Sequence, residues 1–348
     1  MNPFPNDTHP NNPTIKDKQR MNAIADVQSS RDLRNLPINQ VGIKDLRFPI
    51  TLNTAEGSQS TVARLTMTVF LPADQKGTHM SRFVALMEQQ TEALDFDRLH
   101  KLTAEMVALL NSHSGKISVS FPFFRKKSAS VSGIQSLLDY DVTLTGEIKN
   151  GAYSHNLKVM VPVTSLCPCS KEISQYGAHN QRSHVTVSLT ANAEVGIEEI
   201  IDCVEAQASC QLYGLLKRPD EKYVTEKAYE NPKFVEDMVR DVAVALRGAT
   251  TRADGAAWTW AFLSISTRDG ELTTDFDYER RPDLVPPCTR DDCAAEQRLF
   301  PRDSGRLPGW MARLQSDDVE DALSRTDSDG DGEAGFRRPL GRLALQPR

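Results

Sequence analysis

Cys167-Pro168-Cys169-Ser170-Lys171, followed by Gly177-Ala178-His179-Asn180-Gln181-Arg182, crowds thiol, hydroxyl, amine and imidazole groups into sixteen residues. A thiolate and a neutral imidazole are good ligands for zinc and other borderline divalent metals. An open catalytic site takes three protein ligands and keeps one position for water. Cys167 and His179 are candidates for two such ligands. The same residues also have a plain reading as packing, because buried cysteines are commonly inert and a single Cys-x-Cys pair is less specific than paired Cys-x-x-Cys motifs. A redox pair made by Cys167 and Cys169 is a third reading.

Other reactive groups carry less. His155 and His184 sit in or beside apolar alternation and read as hydrogen-bonded framework. The run Arg125-Lys126-Lys127 at a strand end could meet a polyphosphate, although a solvated basic rim explains it as well. Gly77-Thr78-His79-Met80-Ser81-Arg82 opens a helix, and capping accounts for it. Asp327-Ser328-Asp329-Gly330-Asp331-Gly332 imitates the start of a calcium loop, but its twelfth position is Arg338 rather than an acid, which excludes that site.

The elements that must hold the thiols come from periodicity. Leu157, Val159, Val161 and Val163 alternate as a strand that Pro168 brings to an end, so both cysteines follow a strand terminus. Before it, Ile43 to Ile50, Ala63 to Leu71, Ile117 to Phe123 and Tyr140 to Ile148 read as strands. Met80, Phe83, Val84, Met87 and then Phe96, Leu99, Leu102, Met106, Leu109 recur at three and four, the stripe of two amphipathic helices. Asn150-Gly151 is a type I′ hairpin signal. After it come a strand from Tyr153, another over Val185 to Ala191, and a helix carrying Ile197, Ile200, Ile201, Val204 and Ala208. A second helix is expected to start at Asn231-Pro232, with Asn231 as its cap.

The order strand-strand-helix-helix-strand-strand, then strand-strand-helix-helix, predicts an α+β chain made of two like units. The expected divisions are a disordered leader over 1–20, with Met21 as an alternative start, a first unit over 21–150, a second over 151–275, and a disordered or aberrant tail over 276–348. Trp258, Trp260, Phe262, Leu263 and Ile265 are candidates for a closing strand.

With 348 residues, 39% of them hydrophobic, the chain can bury a sizeable core. A net charge of −6 gives no support for a nucleic-acid backbone as partner. No apolar run reaches the roughly 20 residues that span a bilayer, and the first 20 residues lack a signal-peptide centre. A cytoplasmic protein without membrane or nucleic-acid partners is expected, and six cysteines over this length suit reduced thiols or metal ligands.

The string Val163 to Lys171, with Gly177 to Arg182 and Gly77 to Phe83, resembles the hallmark motifs of the bacterial type IB GTP cyclohydrolase I family, and the similarity runs from Met21 to Leu246. That resemblance implies the tunnelling fold (T-fold): tandem units of antiparallel sheet with pairs of helices on one face, assembled into homo-oligomers, by family a tetramer, with active sites at subunit interfaces. It implies hydrolytic opening of the guanine imidazole ring of GTP to 7,8-dihydroneopterin triphosphate and formate, the first step of folate-type pterin synthesis. A metal-bound water of lowered pKa would attack C8.

The resemblance also distributes roles. It places a divalent metal, zinc, manganese or iron, on Cys167, His179 and Glu221. It makes Cys167, Cys169 and His179 catalytic, with Cys169 in a supporting part, and gives Glu236 the guanine edge, where a carboxylate can accept two N–H donors. Glu236 also suits a helix start for its charge alone. One departure stands out. Family members carry a late histidine-bearing segment, and the last histidine here is His184. The alternative is therefore a fold relative that binds metal or purine without turnover.

Overall fold

Four successive strands, between residues 57 and 166, alternate buried and more exposed residues, and that period-two pattern lays one apolar face along a single sheet. The structure, a computed structural model, describes residues 28, 30–190, 195–249, 260–265, 272–277, 288–302, 305 and 307–315. The expected leader over 1–20, the Met21 start, Trp258 and the calcium-loop imitation at 327–332 lie outside the described residues.

The strands are β1 (Ile38–Thr54), β2 (Gly57–Leu71), β3 (Gly115–Ser128), β4 (Gln135–Lys149), β5 (Ala152–Leu166) and β6 (Asn180–Leu189), joined antiparallel in the order β1-β2-β3-β4-β5-β6. The two-residue β7 (Cys210–Gln211) adds to β5 beside Val163 and Thr164. The expected α+β architecture is present, with the strands of both halves continuous in one sheet. Asn150 and Gly151, at φ 50 and 80, make the β4–β5 turn whose left-handed backbone the Asn-Gly pair favours.

Helices cover one face. α1 (Met80–Glu88) and α2 (Phe96–Leu109) lie over the first half, and α4 (Ile197–Gln207) and α6 (Val235–Ala249) over the second. α2 packs on β3 and β4, α4 on β5, and α6 on α4. Met67, Ile117, Val159, Val187, Phe83, Leu99, Ile200 and Leu246 belong to one core in which none is more than 1% exposed. Between these stand the short α3 (Pro168–Ile173) and α5 (Arg218–Glu230). β8 (Trp260–Ile265) and β9 (Leu272–Asp277) pair as a separate hairpin, with β9 against β6.

Three expectations are corrected. Asn231 does not cap a following helix. It ends α5, its amide donates to the Ala208 carbonyl at 3.0 Å, and α6 starts later, at Val235. Of the Arg125-Lys126-Lys127 run only Lys126 is exposed as a rim residue would be: Arg125 pairs with Asp202 at 2.6 Å and the buried Lys127 pairs with Glu205 at 2.7 Å, fastening β3 to α4. Disorder from 276 onward does not hold for the described residues 288–315, which contain α7 (Arg290–Leu299) and α8 (Gly309–Gln315). There Thr289 and Asp292 exchange capping bonds, Cys293 and Met311 are buried, and Glu296 pairs with Arg247 of α6.

Candidate functional site

β5 and β6 remain paired to Leu166 opposite Asn180, and the next residue outward on each strand is Cys167 and His179. The Cys167 N–H donates to the His179 carbonyl at 3.3 Å. Pro168 then turns the chain into α3 with Cys167 as its cap residue, and the proline, which has no backbone N–H, suits the first helical position, where that N–H would have no acceptor within the helix. The Ser170 hydroxyl donates to the Cys167 carbonyl at 3.0 Å and accepts the His179 N–H at 3.1 Å. One hydroxyl thus clamps the two candidate ligands. Ser170 was visible in the sequence as part of the motif, but this bridging part was not.

The strand end is fixed from beneath. The Leu166 N–H donates to the Ser209 hydroxyl at 3.2 Å, and its carbonyl accepts the Lys233 N–H at 3.1 Å. Leu166, Cys210 and Ala228 form a small core of their own with Ala178 and Val224 against it. Burying a leucine such as Leu166 contributes about 1.5–3 kcal/mol, and here it holds α5 under the motif. The Lys171 ammonium donates to the Tyr229 carbonyl at 2.6 Å and lies 4.3 Å from the centre of the Tyr229 ring, joining α3 to the end of α5.

The electrostatics favour a thiolate. The Ser170 backbone N–H holds the Cys167 thiol below the usual cysteine range. Partial burial opposes this, and the Ser170 hydroxyl and the N–H and thiol of Cys169 add to it. Cys167 is half-buried, while Cys169 and His179 are exposed. Burial pushes Cys203 up to about 11, and it pushes Cys210 up as well, outweighing Lys227, Lys127 and the Gln211 N–H beside that thiol.

The two carboxylates stand differently. Glu236 lies half-buried in the first turn of α6, and the Lys233 N–H, two residues before that helix starts at Val235, is tied to the Leu166 carbonyl at the end of β5. Glu221 is exposed in the first turn of α5. Among the described residues no group of three His, Cys, Asp or Glu side chains is close enough to hold a metal ion. Cys167 and His179 thus carry donor types that suit a metal and meet through their main chains, but among the described residues no three-donor set closes around them. A separate open cleft of about 550 Å³ between the starts of α2 and α4 is lined by Asp95, Asp97, Glu198 and Glu199, a charge that repels a triphosphate. Among the described residues no helix is long and apolar enough to cross a membrane.

Comparison with known proteins adds the family. Residues 24–260 match the family described as type I GTP cyclohydrolase folE2. GTP cyclohydrolase FolE2 of Neisseria meningitidis serogroup C (strain 053442) is 86% identical over 240 residues, 69% of this chain and 80% of that protein. The FolE2 protein of Neisseria gonorrhoeae (strain ATCC 700825 / FA 1090) is 87% identical over 226 residues, 65% of this chain and 88% of that one. That of Herminiimonas arsenicoxydans is 60% identical over 223 residues, 64% and 85% respectively. These matches carry the FolE2 designation where the motif resemblance gave type IB. With both cysteines, His179, Glu221 and Glu236 inside the matched span, the chain belongs to the type I GTP cyclohydrolase FolE2 family.

Proposed function

We propose that this chain is a GTP cyclohydrolase I, hydrolysing the guanine imidazole ring of GTP so that C8 leaves as formate and 7,8-dihydroneopterin triphosphate is formed. Membership of the family supports the activity. The observation that carries the site is the main-chain union of Cys167 and His179, clamped by Ser170, with a thiol whose proton is held loosely.

In this reading the activity needs a divalent metal, zinc, manganese or iron, with Cys167, His179 and Glu221 as ligands and Cys169 supporting Cys167. Thiolate, imidazole and carboxylate donors suit all three metals. Glu236 accepts the two N–H donors of the guanine edge, which orients the ring and selects a purine that offers them. The working form is a homo-oligomer, a tetramer by family. What supports it is the edge strand β1, seventeen residues long, whose ladder among the described residues is with β2 and whose outer edge, apart from one bridge between Leu52 and Leu94, is open there to a further strand.

Incubation of purified protein with GTP and added metals tests the reading through formate release and pterin fluorescence. Purine binding with no turnover would favour the alternative, a relative impaired by the lack of any histidine after His184. Light scattering of the purified protein reads the oligomer directly.

A further inference from the structure

We infer that Asp220 is a positioning residue whose buried carboxylate ties the tip of the β3–β4 hairpin to the first turn of α5 and so fixes where Glu221 enters the site. This rests on the reading of Glu221 as a site residue.

Asp220 is 0% exposed. Its Oδ1 accepts the N–H groups of Val131 and Ser132, each at 2.9 Å, and its Oδ2 accepts the Ser132 hydroxyl at 2.6 Å and the Lys217 N–H at 2.9 Å. Four donors use the whole accepting capacity of a carboxylate. A buried charge persists only when so satisfied, and here it is held by dipoles and the helix start rather than by a cation. Three of the donors lie 88 or 89 residues away in the chain.

Capping does not require this. Glu199 of α4 occupies the same helical position, is exposed, and accepts only the Gly196 N–H. Asp292 of α7 is also exposed and bonds only to Thr289. Asp220 makes the equivalent bond to Lys217 and adds a long-range grip on the hairpin.

The hairpin tip is a firm anchor. Ala129 N–H donates to Ile134 O at 2.9 Å, Gly133 N–H donates to Ala129 O at 3.0 Å, and Lys127 on the same strand is fastened to α4 through Glu205. On α5, Asp220, Val224 and Ala228 are spaced by four and turn inward, Ala228 and Val224 onto the core beneath Leu166. Asp220 therefore fixes the N-terminal end of a helix whose other end is packed under Cys167's strand. Glu221 follows directly, its N–H bonded to Lys217 O at 2.9 Å, and cannot move without that turn.

The test compares the full-length protein with Asp220→Asn, Glu221→Gln and the double variant, measuring GTP turnover and amide hydrogen exchange. Asn keeps the size but presents N–H groups to N–H donors. Asp220→Asn is expected to lower kcat roughly ten- to a hundredfold with KM for GTP within about twofold, and to speed exchange at Val131 and Ser132. The double variant should be no slower than Glu221→Gln, because both act through one group. If Asp220→Asn is too unstable to purify, Ser132→Ala removes only the hydroxyl donor and should give a smaller kcat loss that disappears in the Glu221→Gln background. Multiplying losses, or faster exchange with unchanged kcat, would overturn the inference and leave Asp220 an architectural residue. Full kcat in Glu221→Gln alone would instead overturn the reading of Glu221, and the inference with it.

Discussion

Cys167 and His179 are joined through the main chain at 3.3 Å, outside the last paired residues of β5 and β6, so the sheet itself sets their approach. Side chains placed by a ladder need no loop to order before they can act. Cys167→Ala deletes the proposed ligand and leaves that backbone bond in place. The expected outcome is GTP turnover at background and loss of bound metal, with an unchanged fold by circular dichroism. Full activity in this variant would exclude the assigned site.

Glu236→Gln separates the recognition proposed for Glu236 from the proposed metal holding. The amide keeps one acceptor and turns a donor toward the guanine N–H groups. Loss of a charge-assisted pair costs about 1.5–3 kcal/mol, a KM for GTP raised roughly ten- to a hundredfold, with metal content by elemental analysis as in the parent. If metal is lost and KM holds, Glu236 belongs with the ligands instead.

The sheet was legible because each strand repeats its own signal: Ala63, Leu65, Met67, Val69 and Leu71 are all buried, as their alternation demanded. Asn150-Gly151 was legible because few residue pairs accept two successive positive φ angles. α5 was not, since its inward face is an aspartate, a half-buried valine and an alanine, and an aspartate satisfied by distant donors looks the same in sequence as a solvated one. Asn231-Pro232 carries a sound helix-start signal, yet the Asn231 amide is taken by Ala208, a contact no local window contains. The same holds for Lys127, whose partner lies 78 residues away. Within the site, the cysteine-histidine motif was visible as a string of residue types, whereas the Ser170 clamp depends on the β5–β6 register.

The Lys127–Glu205 pair offers a stability test away from the chemistry. Both side chains are less than a tenth exposed, and the Tyr140 hydroxyl donates to the same Glu205 oxygen at 2.8 Å. Burial draws the Lys127 ammonium below its usual pKa despite Glu205, so the charges are held at some desolvation cost. Lys127→Met leaves a buried carboxylate without its cation and should destabilise by about 3–5 kcal/mol, read as a lower urea midpoint. Adding Glu205→Leu should recover most of that loss. No recovery would mean that packing, rather than the stranded charge, sets the cost.

Alkylation of the metal-free protein against pH tests the thiol directly. The thiolate is the nucleophile, so a lowered pKa switches reactivity on at lower pH. Cys167 should therefore react with iodoacetamide along a curve whose midpoint falls below the ordinary value of about 8.5. Cys203, pushed up to about 11 by burial, should stay unmodified near neutrality. Peptide mass spectrometry assigns each site. The folded Cys167 gives up its proton earlier than the unfolded chain does, so between the two pKa values the unfolded state binds more protons and stability rises with pH. That contribution is complete above the unfolded pKa and disappears as pH falls through the folded one. Ser170→Ala removes the hydroxyl's share while keeping the backbone N–H, the larger cause, so its midpoint should rise only part of the way. A midpoint for Cys167 at or above that of an unfolded thiol would remove the electrostatic ground for treating it as a ready ligand.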